Sequence, residues 1–436
     1  MKTQTEGILT PLIRSQCNLL ENYRKHDGYS AAKKALSMKP EEIIEEVIAA
    51  NLRGLGGAGF PAGRKWSFIP KNSEKPVYLV VNCDESEPGT FKDKYIVTRA
   101  THALIEGIII AAKAIGAHVC YIYIRGEYVA QAKALEAAIA EAYEAGILGK
   151  KVLGSKYALD VYVHRGAGAY ICGEETALLE SIEGKKGWPR MKPPFPAIEG
   201  LFRSPTTVNN VETISYVPSI IRNGAEWFAS MGTERSGGMR LFSVSGHVKK
   251  PGVYELPVSK TLRELIYDYA GGVLDDRELK AVIPGGSSSP PIRPEEIDVQ
   301  LCFDACAKIG TMLGSAGVMV IAEGTSLIEM MHVTSRFYHH ESCGQCTPCR
   351  EGTGWMDKIL TRMAGGTIYP HDLDTLEEIA ANIMGNTICA LGDAAAMPVL
   401  GYLKRFRKEL EEEVATLLAK NGTVISQERD HAQDHH

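Results

Sequence analysis

The sequence predicts an α/β multidomain protein with a parallel-sheet half, a small α+β module and a helical C-terminal part. Three observations carry the prediction. Short β-branched runs alternate with helical stretches over residues 77–182, a region of short strands and turn signals extends to about residue 323, and the pattern over 326–420 is helical throughout. Strands alternating with helices of this length imply crossover connections and a parallel sheet, whose ligands lie beyond the carboxyl ends of its strands.

In order, 77–81 reads as a buried strand that runs into the loop Asn82-Cys83-Asp84. A helix over 98–115, a strand over 118–124, a helix over 129–145, a strand over 159–163 and a helix over 174–182 follow. Pro189, Pro193, Pro194, Pro196 and Pro205 are too many for any regular element, so 184–208 reads as a long functional loop or lid. A helix over 212–231 leads to the boundary pair Gly237-Gly238, and Lys250-Pro251-Gly252 turns a hairpin between 241–248 and 253–258. A helix over 262–269 belongs to the same module. The expected domains are 1–238, 239–325 and 326–420, with 421–436 a flexible tail whose His431, His435 and His436 read as a disordered end or tag remnant.

A chain of 436 residues exceeds one ordinary core, and a net charge of -5 offers no basic stripe for a phosphate backbone, which argues against nucleic acid. The best apolar stretches, 104–117 and 310–323, are short of the roughly 20 residues a membrane span needs, or are interrupted by Glu106 and Lys113. Residues 1–6 hold no apolar signal core. The expected location is the cytoplasm, with no direct membrane insertion and docking on a membrane complex through partners.

Ten cysteines without an export signal suit a reducing compartment and a metal site. Cys343, Cys346 and Cys349 form C-x-x-C-x-x-C, with Pro348 before the third and Cys389 as a remote fourth. Thiolates at this spacing converge on one cubane that a distant cysteine closes. Zinc is the competitor, although it normally draws ligands in two separated pairs. Cys389 alone also reads as a small buried residue, as do Cys17, Cys83, Cys120 and Cys172. Cys302 and Cys306, at i and i+4, lack a nearby third ligand and are expected in the core.

Four loops carry polar groups suited to a dinucleotide and a flavin. Residues 53–66 place five glycines between Gly54 and Gly63, where backbone N–H groups can approach a phosphate, and Lys65 adds positive charge. The loop 82–90 packs Asp84, Glu85 and Glu87 after a strand, and carboxylates accept from hydroxyls and amides rather than from phosphates. Residues 166–176 repeat this with Glu174 and Glu175 at a helix start, where acids also suit the helix dipole. Asn209 and Asn210, in 207–213, offer two amides where a helix N-cap needs one.

At these residues the sequence resembles the NADH- and FMN-binding subunit of bacterial respiratory complex I, an NADH:quinone oxidoreductase, through RGLGGAGFPAGRKW, NCDESEPGTFKD, GAYICGEETALLES, TVNNVET, ESCGQCTPCREGT and TICALGDAA. The resemblance implies a Rossmann-like flavin domain, a ubiquitin-like β-grasp module and a C-terminal helical bundle carrying a [4Fe-4S] cluster on Cys343, Cys346, Cys349 and Cys389. It implies FMN held by Gly54, Gly56, Gly57, Lys65, Asn82, Asp84, Tyr170, Gly173, Glu174, Asn209, Asn210 and Thr213. NADH would stack its adenine on Phe60, Phe68 and Phe195, while Glu87 and Glu175 address the nicotinamide carboxamide and the adenine ribose. Glu85, near the flavin on this mapping, is expected to tune its potential. The implied partners are a thioredoxin-like [2Fe-2S] subunit and other peripheral-arm subunits; the diaphorase subunit of an NAD-linked hydrogenase or formate dehydrogenase is the alternative, because its motifs are nearly the same.

Overall fold

A computed structural model describes residues 7–421; the expected absence of a signal core at 1–6 and the reading of the C-terminal tail fall on residues outside this range. The described residues divide into two compact units, one ending at Glu323 and the other starting at Gly324.

The first unit holds two four-stranded sheets. Strands β1 (Tyr78–Cys83), β2 (Val119–Ile124), β3 (Asp160–Arg165) and β4 (Thr206–Asn210) run parallel in the order β3-β2-β1-β4. Leu79, Val81, Cys120 and Ile122 project to one face and are buried there with Ile105, Ile108, Ile109 and Ala112 of the Thr101–Ile115 helix. That helix is apolar on nearly every side because it is packed on every side, and Gly116 ends it in the left-handed region at φ 75. Among the described residues no single helix is long and apolar enough to cross a membrane; Asp93–Arg99 and Thr101–Ile115 meet that test only together, bent by 99°.

The expected 98–115 helix is thus two helices. The expected 212–231 helix is likewise Val211–Asn223 and Ala225–Ala229, divided at Gly224 with φ 96, a conformation that a helix cannot contain. The 262–269 helix is a single wide turn, Glu264–Tyr269. The largest departure is β4: 184–208 is no continuous loop, since its end joins the sheet beside β1, with Val81 opposite Asn209 and Asn82 opposite Asn210.

The second sheet, in order β6-β5-β8-β7, consists of β5 (Met239–Gly246), β6 (Gly252–Pro257), β7 (Leu279–Ile283) and β8 (Gly317–Ala322). β5 pairs antiparallel with β6 through the expected hairpin and parallel with β8, giving a mixed sheet over its own core of Phe242, Val244, Leu262, Val282 and Val320. Met239 and Leu241 of β5 instead bury into the core of the first sheet. Both sheets therefore share one compact unit.

In the second unit the helices Leu327–Glu341, Thr347–Ala364, Asp372–Ile383 and Ala390–Asn421 form a bundle in which Thr347–Ala364 packs on all three others.

Candidate functional site

In a sheet of order β3-β2-β1-β4, chain connections leave β1 towards β2 on one side and arrive at β4 on the other. The switch point lies between β1 and β4, and a ligand is expected outside the carboxyl ends of those two strands. The strands end in Asn82-Cys83 and Asn209-Asn210, the polar residues singled out from sequence. A cleft of about 620 Å³ opens near the start of the same sheet, lined by Ile44, Ile48, Trp66, Ile115 and Val119, but the acidic and amide loops do not line it.

The glycine loop is closed by a bridge between Arg53 and Pro61, with Gly54 N donating to Phe60 O at 2.8 Å and Arg53 Nε to Gly59 O. Leu55 is held at both ends of its peptide: its N–H donates to Thr213 Oγ1 at 2.8 Å and its carbonyl accepts from Arg240 at 2.9 Å. Gly57, at φ 152, has nothing within 4 Å of where a side chain would start. At Gly57 the loop therefore presents bare backbone to open space, which lets an anion such as a phosphate approach the main chain closely.

Amides join the loops to the sheet. Asn82 donates to Gly173 O at 2.9 Å, Trp66 Nε1 donates to Asn209 Oδ1 at 2.8 Å, and Asn210 accepts from Glu212 N while donating to Asp93 Oδ2 at 2.6 Å. Glu174 caps the Glu175–Ile182 helix through Thr176 N and Ala177 N. Lys65 pairs with Glu175 at 2.7 Å, and Lys192 of the proline-rich segment pairs with Glu175 and Glu174 at 2.9 and 3.1 Å. Burial would raise the Glu175 pKa, but Lys65 and Lys192 override it and hold it at about 2. Phe60 and Phe68 lie 5.9 Å apart between ring centres, and both, like Phe195, are about half exposed, which leaves flat apolar faces free for stacking. Tyr170 OH donates to Glu87 at 2.6 Å.

Glu85 is turned inward. Its carboxyl accepts from Asp93 N, Lys94 N and Tyr128 OH at 2.7, 3.1 and 2.9 Å. Burial, then the nearby Asp93 carboxylate, push its pKa up to about 7 despite Lys92 and these donors. The folded protein therefore holds an extra proton between the ordinary 4.5 and about 7, and the unfolding free energy should fall as pH rises through that window, by on the order of 3 kcal/mol. Glu85→Gln should flatten this slope in urea titrations at pH 5 and pH 8; an unchanged slope would remove Glu85 as its source.

Beneath the site, Lys92 Nζ lies 2.8 Å from Asp93 and 2.7 Å from Glu212, all three essentially without solvent contact. Glu212 also accepts from Leu241 N at 2.6 Å, linking the first sheet's machinery to β5. Lys192 and Arg240 lie outside the sequence motifs, and Trp66, Lys92 and Asp93 lie within them without an assigned role; their burial and pairing in the fold mark all five.

In the second unit, Cys343 lies in the connector after Leu327–Glu341, Cys346 is the N-cap of Thr347–Ala364, and Cys349 is in that helix's first turn, with Pro348 at its start. Cys389 immediately precedes Ala390–Asn421. Three of the four thiols thus gather at one helix N-terminus and the fourth borders another. Ser342 Oγ lies 3.2 Å from Cys349 Sγ. Burial, reinforced by Cys346 and Cys343, pushes the Cys349 thiol up to about 11. Among the described residues no three His, Cys, Asp or Glu side chains are grouped for a single ion. A cubane spreads its four thiolate ligands around a cluster, and the donor set here, all sulfur, is the one it uses. Cys17, Cys83, Cys120, Cys172, Cys302 and Cys306 are all buried.

A glycine loop with amide and carboxylate side chains at a switch point, in one chain with a helical bundle that carries four cysteines at helix starts, is the arrangement of an iron-sulfur flavoprotein. Residues 47–219 match a family model described as the Nuo51 FMN-binding domain, 240–320 an SLBB domain, and 329–413 the NADH-ubiquinone oxidoreductase-F iron-sulfur binding region. The protein belongs to the family of NADH-quinone oxidoreductase F subunits. It is 54% identical over 393 residues to the second such F subunit of Rhizobium meliloti, covering 90% of this chain and 93% of that one. With the NADH-quinone oxidoreductase F subunit of Rickettsia felis it shares 51% identity over 415 residues, 95% and 98% of the two chains. A crystal structure of an NAD+-reducing [NiFe]-hydrogenase superposes with a TM-score of 0.81 at 34% identity, over 96% of this chain and 70% of that one. The groups the family carries, FMN and a [4Fe-4S] cluster, fit the two sites described.

Proposed function

We propose that this chain is the NADH-oxidising flavoprotein subunit of an NADH:quinone oxidoreductase. The observation that carries the reading is the coexistence, in one member of this family, of the switch-point loops and the four-cysteine bundle. Bound FMN, held by the switch-point loops, would supply a two-electron hydride acceptor that can release electrons singly, and a [4Fe-4S] cluster on Cys343, Cys346, Cys349 and Cys389 would supply one-electron relay towards partner subunits and quinone.

The protein's own residues position and exclude. Gly54, Gly56, Gly57 and Lys65 would take the FMN phosphate end, and Asn82, Asp84, Tyr170, Gly173, Glu174, Asn209, Asn210 and Thr213 its polyol and ring. Phe60, Phe68 and Phe195 would receive the adenine, and Glu87 the carboxamide. Hydride transfer needs no side chain as general acid or base, because proximity and alignment supply the rate. Glu85, ionised above about pH 7, would lower the flavin potential by its charge; Glu85→Gln should raise it at pH 8 in a spectroelectrochemical titration.

Cys343, Cys346, Cys349 and Cys389 would ligate the cluster. The partner proposed beyond the peripheral-arm setting is a thioredoxin-like [2Fe-2S] subunit, with the assembly held on the cytoplasmic face of the membrane. A diaphorase role in a hydrogenase is the weaker reading, since identity to the hydrogenase is 34% against 54% and 51% to the two quinone-oxidoreductase relatives.

Glu175, ionised throughout the physiological range, would repel a ribose 2'-phosphate. The FMN-loaded protein should therefore bleach with NADH and not with equal NADPH, and Glu175→Gln should narrow that preference roughly tenfold. Equal bleaching by both nucleotides in the unaltered protein would contradict the reading.

A further inference from the structure

The acidic loop is fastened along its length to the second sheet. Ser287 N donates to Pro88 O at 3.1 Å, and Phe91 N donates to Ser243 Oγ of β5 at 3.0 Å. At Gly317, which opens β8, a side chain would begin 2.8 Å from the Gly89 backbone. The strongest contacts converge on Glu87. Its Oε1 accepts from both Ser288 N, at 2.8 Å, and Ser288 Oγ, at 2.7 Å, while Oε2 accepts from Tyr170 OH at 2.6 Å. Gly286, in the same segment after β7, has φ 96, and a Cβ there would sit 2.5 Å from Glu87 Cγ. Only glycine leaves room for the carboxylate to lie where it does.

Each oxygen of Glu87 is therefore gripped from a different sheet: Oε2 from the loop after β3, Oε1 from the segment after β7. A carboxylate is acceptor-only, and hydrogen bonds from two directions fix its rotamer and the direction of its remaining lone pairs. We infer that Ser288 is a positioning residue for the dinucleotide: its double donation aims the Glu87 carboxylate, so that the second sheet sets nucleotide affinity without contacting FMN. The inference rests on the proposed reading that Glu87 addresses the nicotinamide carboxamide. It gives the SLBB-type sheet a part in substrate recognition, acting through a residue of the flavin half.

The test uses the full-length protein loaded with FMN and cluster, with the dissociation constant for NAD+ read from perturbation of flavin absorbance. Ser288→Ala should weaken binding roughly tenfold, the equivalent of one charge-assisted hydrogen bond, with FMN content and Tm unchanged. Ser288→Thr, which keeps the hydroxyl, should stay within about twofold of the parent. In a Glu87→Gln background, Ser288→Ala should add less than about twofold, because its effect runs through the carboxylate. Full, independent weakening by Ser288→Ala in that background would overturn the positioning role, as would parental affinity in the single variant when Glu87→Gln alone weakens binding. If Glu87→Gln alone leaves affinity unchanged, the reading of Glu87 itself fails, and the inference with it.

Discussion

Lys92→Met should lower the unfolding free energy by about 3–5 kcal/mol, because it strands two buried carboxylates that now share one ammonium. Burial alone disfavours the charge on Lys92, but Asp93 and Glu212 outweigh it and keep the ammonium protonated. Without it, Glu212, whose pKa is raised by burial and opposed chiefly by Lys92, must take up a proton or the cluster must open. Either outcome reaches the flavin site, since Asp93 also accepts from Asn210 and its N–H anchors Glu85. The variant should unfold at distinctly lower urea concentration and retain less FMN after gel filtration. Parental values of both would show that the buried pair is worth no more than an exposed one.

Cys349→Ser should abolish the cluster while sparing the flavin. Cys349 is buried in the first turn of its helix and sits with Cys343 and Cys346 at that helix's N-terminus. Loss of one thiolate of a cubane leaves an iron without its ligand, and iron content should fall from about four atoms per protein molecule to near zero. NADH should still bleach the flavin, whose site lies in the unit ending at Glu323, while one-electron delivery to the cluster disappears. Cys302→Ser, made at a buried cysteine outside the bundle, is the control that keeps its iron.

The parallel sheet and its crossover helices were legible because apolar runs such as Leu79-Val80-Val81 alternate with long helical stretches. β4 was not. Thr206-Thr207-Val208-Asn209-Asn210 is polar and follows five prolines, and it becomes a strand only because β1 offers it an unpaired edge, a tertiary effect with no local trace. The candidate site residues stand out in the sequence as motifs, since glycines, clustered acids and spaced cysteines each suggest a chemistry. What those residues lean on was hidden. Nothing in Gly285-Gly286-Ser287-Ser288 indicates that it grips Glu87, about 200 positions earlier, and Arg240 reads as an ordinary charge in a strand until its side chain is seen bonded to the carbonyl of Leu55. Glu85 shows the converse. Its place among three loop acids suggests exposure, yet its carboxyl is spent on the start of the Asp93–Arg99 helix.

Electrons from NADH should pass through the glycine-loop site to the four-cysteine site of this one chain. Anaerobic addition of NADH to the purified, FMN- and iron-loaded protein, followed together by flavin absorbance and electron paramagnetic resonance, tests it most directly. Flavin bleaching should be accompanied by the signal of a reduced [4Fe-4S] cluster, and both should be lost when FMN is stripped. A cluster that stays oxidised under excess NADH while the flavin bleaches, or one that is reduced equally well without FMN, would contradict it.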